Sequence, residues 1–294
     1  MDSGRMSRLR RLLCMLLGAG VLAFASAVAA QDASGGEGDL CQGARNRYGG
    51  AALANGVSVY AMEWTPFDRK EYGWATYLPL IQHELNTDCP SNTPDFAQKL
   101  AVFQARFGQF ATGQFDAAIF EIFKGVWQER RTFVMARVRG ECPDPPPIDQ
   151  LAYLTEKDEH ADRLTRLLRR DVLTAYHRMV ADARAEVPEL KADPELLQIF
   201  SGFRDPEADA ARCAADGRCD GLRRALCSAH RTGTAVDLYV GKAADYGVDS
   251  TDPWNRRVQA EGPAYRWLVR NAGRYGFTPY VYEPWHWEWI GVLE

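Results

Sequence analysis

The chain has 294 residues, enough for about two domains. With 46% apolar and 25% charged residues it is neither a disordered chain, a collagen-like fibre nor a multi-span membrane protein. The formal net charge of -4 excludes the basic footprint of a nucleic-acid binder.

At the N-terminus, Arg5, Arg8, Arg10 and Arg11 precede an apolar run from Leu12 to Phe24, and Ala27-Val28-Ala29 reads as a cleavage signal. This is the pattern of a secretory signal peptide over residues 1–29. As a membrane anchor the run is short, because a span needs about 20 apolar residues. Cys14 lies too early for a lipoprotein site. Cleavage leaves a chain with net charge -7 and six cysteines: Cys41, Cys89, Cys142, Cys213, Cys219 and Cys227. An even count in an exported protein implies up to three disulfides, with Cys213 and Cys219 as a candidate local pair. Their spacing does not fit a cysteine zinc site.

Residues 30–71 read as a lead-in whose first part, AQDASGGEG, is small and polar. The segment 72–127 reads as helical. Pro79 suits a first helical turn. Phe96, Leu100, Phe103 and Phe107 recur at helical spacing, Gly108 suits a C-terminal cap, and Asp116 can cap a helix carrying Ile119, Phe120 and Phe123. The pieces GWATYLPLIQHEL, LAVFQARFG and ATGQFDAAIF resemble the peptidoglycan-binding type 1 domain, a small three-helix module. The resemblance implies cell-wall polymer as a partner of residues 72–127.

CPDPPP (142–147) cannot be helical, and it either separates two domains or forms a loop inside the second. Thr132 to Val138 before it reads as a strand, which places the boundary near residue 130 and a second domain over 130–294. An amphipathic helix is predicted from about Glu159 to Glu186, with Leu164, Leu167, Leu168, Val172, Ala175, Tyr176, Met179 and Val180 on one stripe. EKDEHAD then reads as its solvated acidic start. His83, His160 and His177 read as packing or surface residues.

The remaining two histidines, His230 and His286, keep different company. Thr234 to Val240 alternates as a strand carrying Asp237, and Gly233 permits a turn between that strand and His230. His286 is the candidate third ligand. Two histidines and one aspartate leave a position open for water, the pattern of a catalytic zinc site. Glu283 lies three residues before His286. Residues three apart on an ideal strand face opposite sides, but Pro284 breaks the regularity and allows a bend. Trp285 and Trp287 would wall the other face.

SGFR (201–204), SAHRTGTAVDL (228–238), WLVRNAGRYGF (267–277) and YEPWHWEWIG (282–291) together resemble the VanY-type D-alanyl-D-alanine carboxypeptidases, zinc peptidases of the bacterial cell wall. The resemblance implies zinc held by His230, Asp237 and His286, with Glu283 as general base and then acid. It implies Arg204 at the oxyanion and Ser228 as a residue that orients the substrate or the surroundings of the metal. Glu288 departs from the basic residue expected after WHW and reads as a solvent-facing position or a change in pocket charge. The implied fold is α+β, a small antiparallel sheet flanked by helices and shared with the hedgehog signalling domain, preceded by the three-helix module. Pro263 and Gly276 suit the start and stop of one flanking helix, and FTPYVY and WHWEWIG read as neighbouring strands. No further domain is expected after Glu294.

The function expected is removal of terminal D-Ala from peptidoglycan stem peptides, in the periplasm or at the wall. Nucleic acid is not expected as a partner, nor membrane once the signal is cleaved. The alternatives are an endopeptidase cutting cross-links or another stem-peptide bond, and a non-catalytic, zinc-stabilised wall-binding protein.

Overall fold

The computed structural model describes residues 41–161, 166–217 and 227–291. The signal segment, Leu164 and Cys219 lie outside the described residues, so the Cys213–Cys219 pairing does too. No helix among the described residues is long and apolar enough to cross a membrane.

The first half is mainly helical. Helix α1 (Arg45–Ala61) leads into a short antiparallel pair, β1 (Glu63–Trp64) and β2 (Glu71–Tyr72). Then come α2 (Leu78–Glu84), α3 (Pro94–Arg106), α4 (Ala117–Glu129) and α5 (Thr132–Val138). Pro79 sits in the first turn of α2, where its missing N–H costs no helical bond. Asp116 caps α4 by accepting from Ile119 N at 2.8 Å. Gly113 takes φ +71°, and a Cβ there would stand 2.6 Å from the Ala97 carbonyl oxygen, so only glycine fits this turn against α3. Gln104 on α3 accepts from Gly113 N at 2.8 Å and donates to Gln114 O at 2.9 Å. Asn55 on α1 does the same from the other side, bonding Gly113 O and Phe115 N. Helix α1, unassigned in the sequence because its apolar positions are mostly small, packs Tyr48, Ala51 and Ala52 inward, with Tyr48 and Ala51 meeting Ala97 and Ala101 of α3. A disulfide joins Cys41 to Cys89.

Residues Thr132–Val138 are helix α5, not a strand. Only Ala136 is buried along it, so the segment offers no alternating buried face for a sheet to cover.

The second half begins with β3 (Leu151–Tyr153) paired antiparallel to β4 (Leu167–Arg169), followed by α6 (Arg170–Glu186) and α7 (Pro188–Ala192). The long helix therefore starts eleven residues later than its stripe suggested. Leu167 and Leu168 are taken by β4, and Arg169 N is bonded to Gly233 O. Nor is EKDEHAD a solvated helix start. Asp158, Glu159 and His160 are buried, and Asp158 bonds Thr155 and His177. His160 stacks on Tyr239, with ring centroids 4.1 Å apart. Val172, Ala175, Tyr176, Met179 and Val180 of α6 face the core as expected.

Then follow β5 (Ile199–Ser201), α8 (Pro206–Asp216), a 3-10 turn (Ala229–Thr232), β6 (Ala235–Leu238), α9 (Pro253–Glu261), α10 (Pro263–Asn271), β7 (Phe277–Tyr280) and β8 (Glu283–Trp289). Four strands form an antiparallel sheet in the order β5-β6-β8-β7. The architecture is α+β, with this small sheet among helices. Pro263 opens α10, and Gly276 at φ +85° ends the 3-10 turn that follows it. Cys142 is bonded to Cys227, which ties the proline-rich stretch to the residue just before the His230 turn. One apolar cluster runs from Val59 and Trp74 through Phe120 and Met179 to Trp287.

Candidate metal centre

His230 sits in the 3-10 turn Ala229–Thr232. Ser228 starts the turn by accepting from His230 N at 3.3 Å, and Gly233 at φ +69° ends it. The turn drops the imidazole beside β6, which carries Asp237. His286 on β8 is the register partner of Asp237. All three side chains are buried, and one ligand atom from each lies within 4.8 Å of the others.

The nitrogens are assigned by their second contacts. His230 Nδ1 donates to Gly202 O at 2.8 Å, which leaves Nε2 on the side of Asp237 Oδ2, 3.2 Å away. His286 presents Nδ1 to Asp237 Oδ1 at 2.8 Å and Nε2 to Glu288 Oε1 at 3.2 Å. Each imidazole thus has one nitrogen held by a hydrogen-bond acceptor and the other directed at the common centre, the usual arrangement of a metal-ligating histidine.

The electrostatics call for a cation. Burial opposes charge on Asp237, but His230 and His286 hold its carboxyl far below the usual range. Burial would lower His286 as well, yet its bonds to Asp237 and Glu288 push it up to about 9. Glu288 is drawn down to about 2: burial works against this, and Arg131 and His286 outweigh it. The carboxylates of Asp237 and Glu288 thus favour positive charge at His286. Two imidazoles and a carboxylate are the donor set zinc takes.

Glu283 begins β8, half-buried. The β7–β8 register jumps from Pro279↔Trp287 to Tyr280↔Glu283, so residues 284–286 are extra length on β8. That irregularity supplies the bend expected at Pro284. Desolvation, opposed by His286 and assisted by Asp237, raises the Glu283 pKa, which places its carboxyl in the field of the triad. Arg204 lies at the edge of the site. Its N–H donates to His230 O at 3.2 Å, and its guanidinium bonds Asp209 Oδ1 at 3.1 Å and Ser201 Oγ at 3.3 Å.

Two residues next to the triad were missed or misread in the sequence. Glu288 does not face solvent. It is 2% exposed, on the same side of β8 as His286, and it is ion-paired with Arg131, itself 6% exposed. The period of two along β8 was the available signal for Glu288. Arg131, 157 residues away, left no trace in local pattern.

Residues 165–292 match the family model described as VanY: D-alanyl-D-alanine carboxypeptidase. This part of the chain is a VanY-type peptidase domain. Comparison with curated proteins finds no match. Among solved structures, the LdcB LD-carboxypeptidase is 21% identical over 50% of this chain and 70% of its own, with a TM-score of 0.35. The vancomycin-resistance D,D-pentapeptidase VanY, solved with Zn(II), is 20% identical over 50% and 84%, with a TM-score of 0.29. The D,D-dipeptidase VanXYg, solved with a D-Ala-D-Ala phosphinate analog, is 23% identical over 47% and 59%, with a TM-score of 0.32.

Proposed function

We propose that the chain is an exported, zinc-dependent D-alanyl-D-alanine carboxypeptidase that removes the terminal D-Ala from peptidoglycan stem peptides. The observation that carries this reading is the buried His230, Asp237 and His286 constellation with Glu283 in its field, inside a VanY-type domain.

Bound zinc would polarise the scissile carbonyl and make its water acidic near neutral pH. Glu283 accepts the proton of the attacking water and returns it to the leaving D-Ala amine. Its raised pKa suits both duties, since a carboxyl nearer neutrality both takes and gives a proton readily. His230 and His286 are held in orientation by Gly202 O and Glu288, which limits reorganisation during the reaction. For Arg204 the oxyanion role rests on the VanY resemblance; its guanidinium contacts Asp209 and Ser201, and its backbone N–H bonds His230 O. Ser228 acts at one remove, by shaping the turn that presents His230.

Export rests on the signal pattern of residues 1–29, and attachment to wall polymer through 72–127 belongs to the same proposal. The test is hydrolysis of a peptide ending in D-Ala-D-Ala by the purified protein. Release of D-Ala that chelator abolishes and zinc restores supports the reading. Full activity in chelator, or in His230→Ala, overturns it.

A further inference from the structure

We propose that Glu288 is a positioning residue for His286, and that Arg131, from the helical N-terminal half, holds Glu288 in place, so that residues outside the matched VanY segment complete the metal centre. The inference rests on the zinc reading above.

The resemblance leads one to expect a basic residue after WHW; Glu288 reads from the sequence as solvent-facing or as a change in pocket charge, and the structure buries it. Glu288 stands two residues from His286 on β8, on the same face. Its Oε1 receives His286 Nε2 at 3.2 Å and Arg131 Nε at 3.1 Å, together with a close contact from Arg131 Nη2. Oε2 has no partner, so all of the bonding runs through the one oxygen that faces the histidine. The imidazole Nε2–H is thereby committed to the carboxylate, and Nδ1 is the only lone pair left for a metal. A carboxylate behind a ligating histidine fixes its tautomer and ring orientation and raises its basicity.

A lone carboxylate could not stay ionised in this position. Arg131 compensates it and is itself fixed. It precedes α5, donates from Nη1 to Gln128 Oε1 at 2.6 Å, and lies 4.2 Å over the Tyr280 ring. Tyr280 in turn meets His286 edge-on, with ring centroids 5.9 Å apart. The helical half therefore reaches the metal centre through one fixed guanidinium.

The competing explanation is an ion pair that merely joins two parts of the fold. Two measurements separate the ideas: zinc affinity by competition with a chromophoric chelator, and the visible spectrum of the cobalt(II)-loaded protein. They are made on the wild-type protein, Glu288→Gln, Glu288→Ala and the double variant Arg131→Met, Glu288→Met. The double variant removes both charges together and so avoids leaving Arg131 buried and unpaired. A positioning role predicts that Glu288→Ala and the double variant both lose about 10–100-fold in zinc affinity and change the cobalt spectrum. Glu288→Gln, which keeps an acceptor oxygen, loses less. The expected melting temperature of the metal-free double variant is close to wild type. A folded double variant with wild-type zinc affinity and spectrum overturns the inference while leaving the functional reading intact. Failure of the wild-type protein itself to bind zinc overturns both.

Discussion

Asp237 and His286 are register partners across β6 and β8, with Asp237 Oδ1 2.8 Å from His286 Nδ1. Antiparallel pairing sets these two proposed ligands face to face without help from any loop. The third, His230, is delivered by a short turn that Ser228 opens and Gly233 closes. The precision of the site is thus the precision of two adjacent strands, and what disturbs β8 disturbs the chemistry.

Glu283→Gln keeps the shape of the side chain and removes its ability to take a proton. Zinc content should be unchanged, while kcat falls by about 100-fold or more. Metal analysis and steady-state kinetics on the same preparation check this. Retention of wild-type kcat would remove Glu283 from the mechanism.

The same substitution has a consequence for stability. The folded pKa of Glu283 lies above its ordinary value of 4.5, chiefly through desolvation. Between the unfolded and folded values the native state binds more protons than the unfolded one, so stability falls as pH rises through that window. Glu283→Gln escapes this loss. In chelator, the variant should be more stable than wild type at about pH 7, and the difference should shrink towards about pH 4. Urea melts at the two pH values measure it, and a variant less stable at neutral pH contradicts it.

A second buried network holds the start of β8. Arg256 is fully buried and donates to Tyr282 O at 2.6 Å, Glu71 Oε1 at 2.5 Å and the Tyr77 hydroxyl at 2.9 Å. Tyr282 immediately precedes Glu283. Removing one partner leaves an uncompensated buried charge, so Glu71→Ala should cost about 3–5 kcal/mol in unfolding free energy. Denaturant unfolding of the metal-free protein tests the value. A loss below about 1 kcal/mol would mean that solvent reaches the pair.

Replacing Cys142 and Cys227 by serine releases the segment that carries Ser228 and His230. A bridge spanning 85 residues contributes about 2–5 kcal/mol. The expected result is a lower melting temperature together with weaker zinc binding, because the His230 turn loses its upstream anchor. Stability lost without any change in zinc affinity would show that the turn holds itself.

The legible features were those whose cause is local. The His230 turn, the Asp237 strand and the β7–β8 pair follow from spacing, glycine placement and alternation, and Asp116 and Pro79 announce helix starts by their own chemistry. The errors share a cause. Leu167 and Leu168 fit a helical stripe, but pairing with β3 claimed them for a strand. Thr132–Val138 has strand-like residues and found no strand to pair with. Asp158 and Glu159 look solvated by composition, yet Thr155, His177 and Arg166 N satisfy them in the interior. The Arg131–Glu288 pair joins positions 157 residues apart, which no single-sequence periodicity records.

The most direct test of the central claim is mass spectrometry of the products formed from monomeric pentapeptide and from cross-linked muropeptides, with and without chelator. The expected result is loss of one terminal D-Ala from the monomer, abolished by chelator. Intact monomer beside severed cross-links would contradict the carboxypeptidase claim in favour of an endopeptidase. No product from either substrate, with zinc bound, would contradict catalysis altogether.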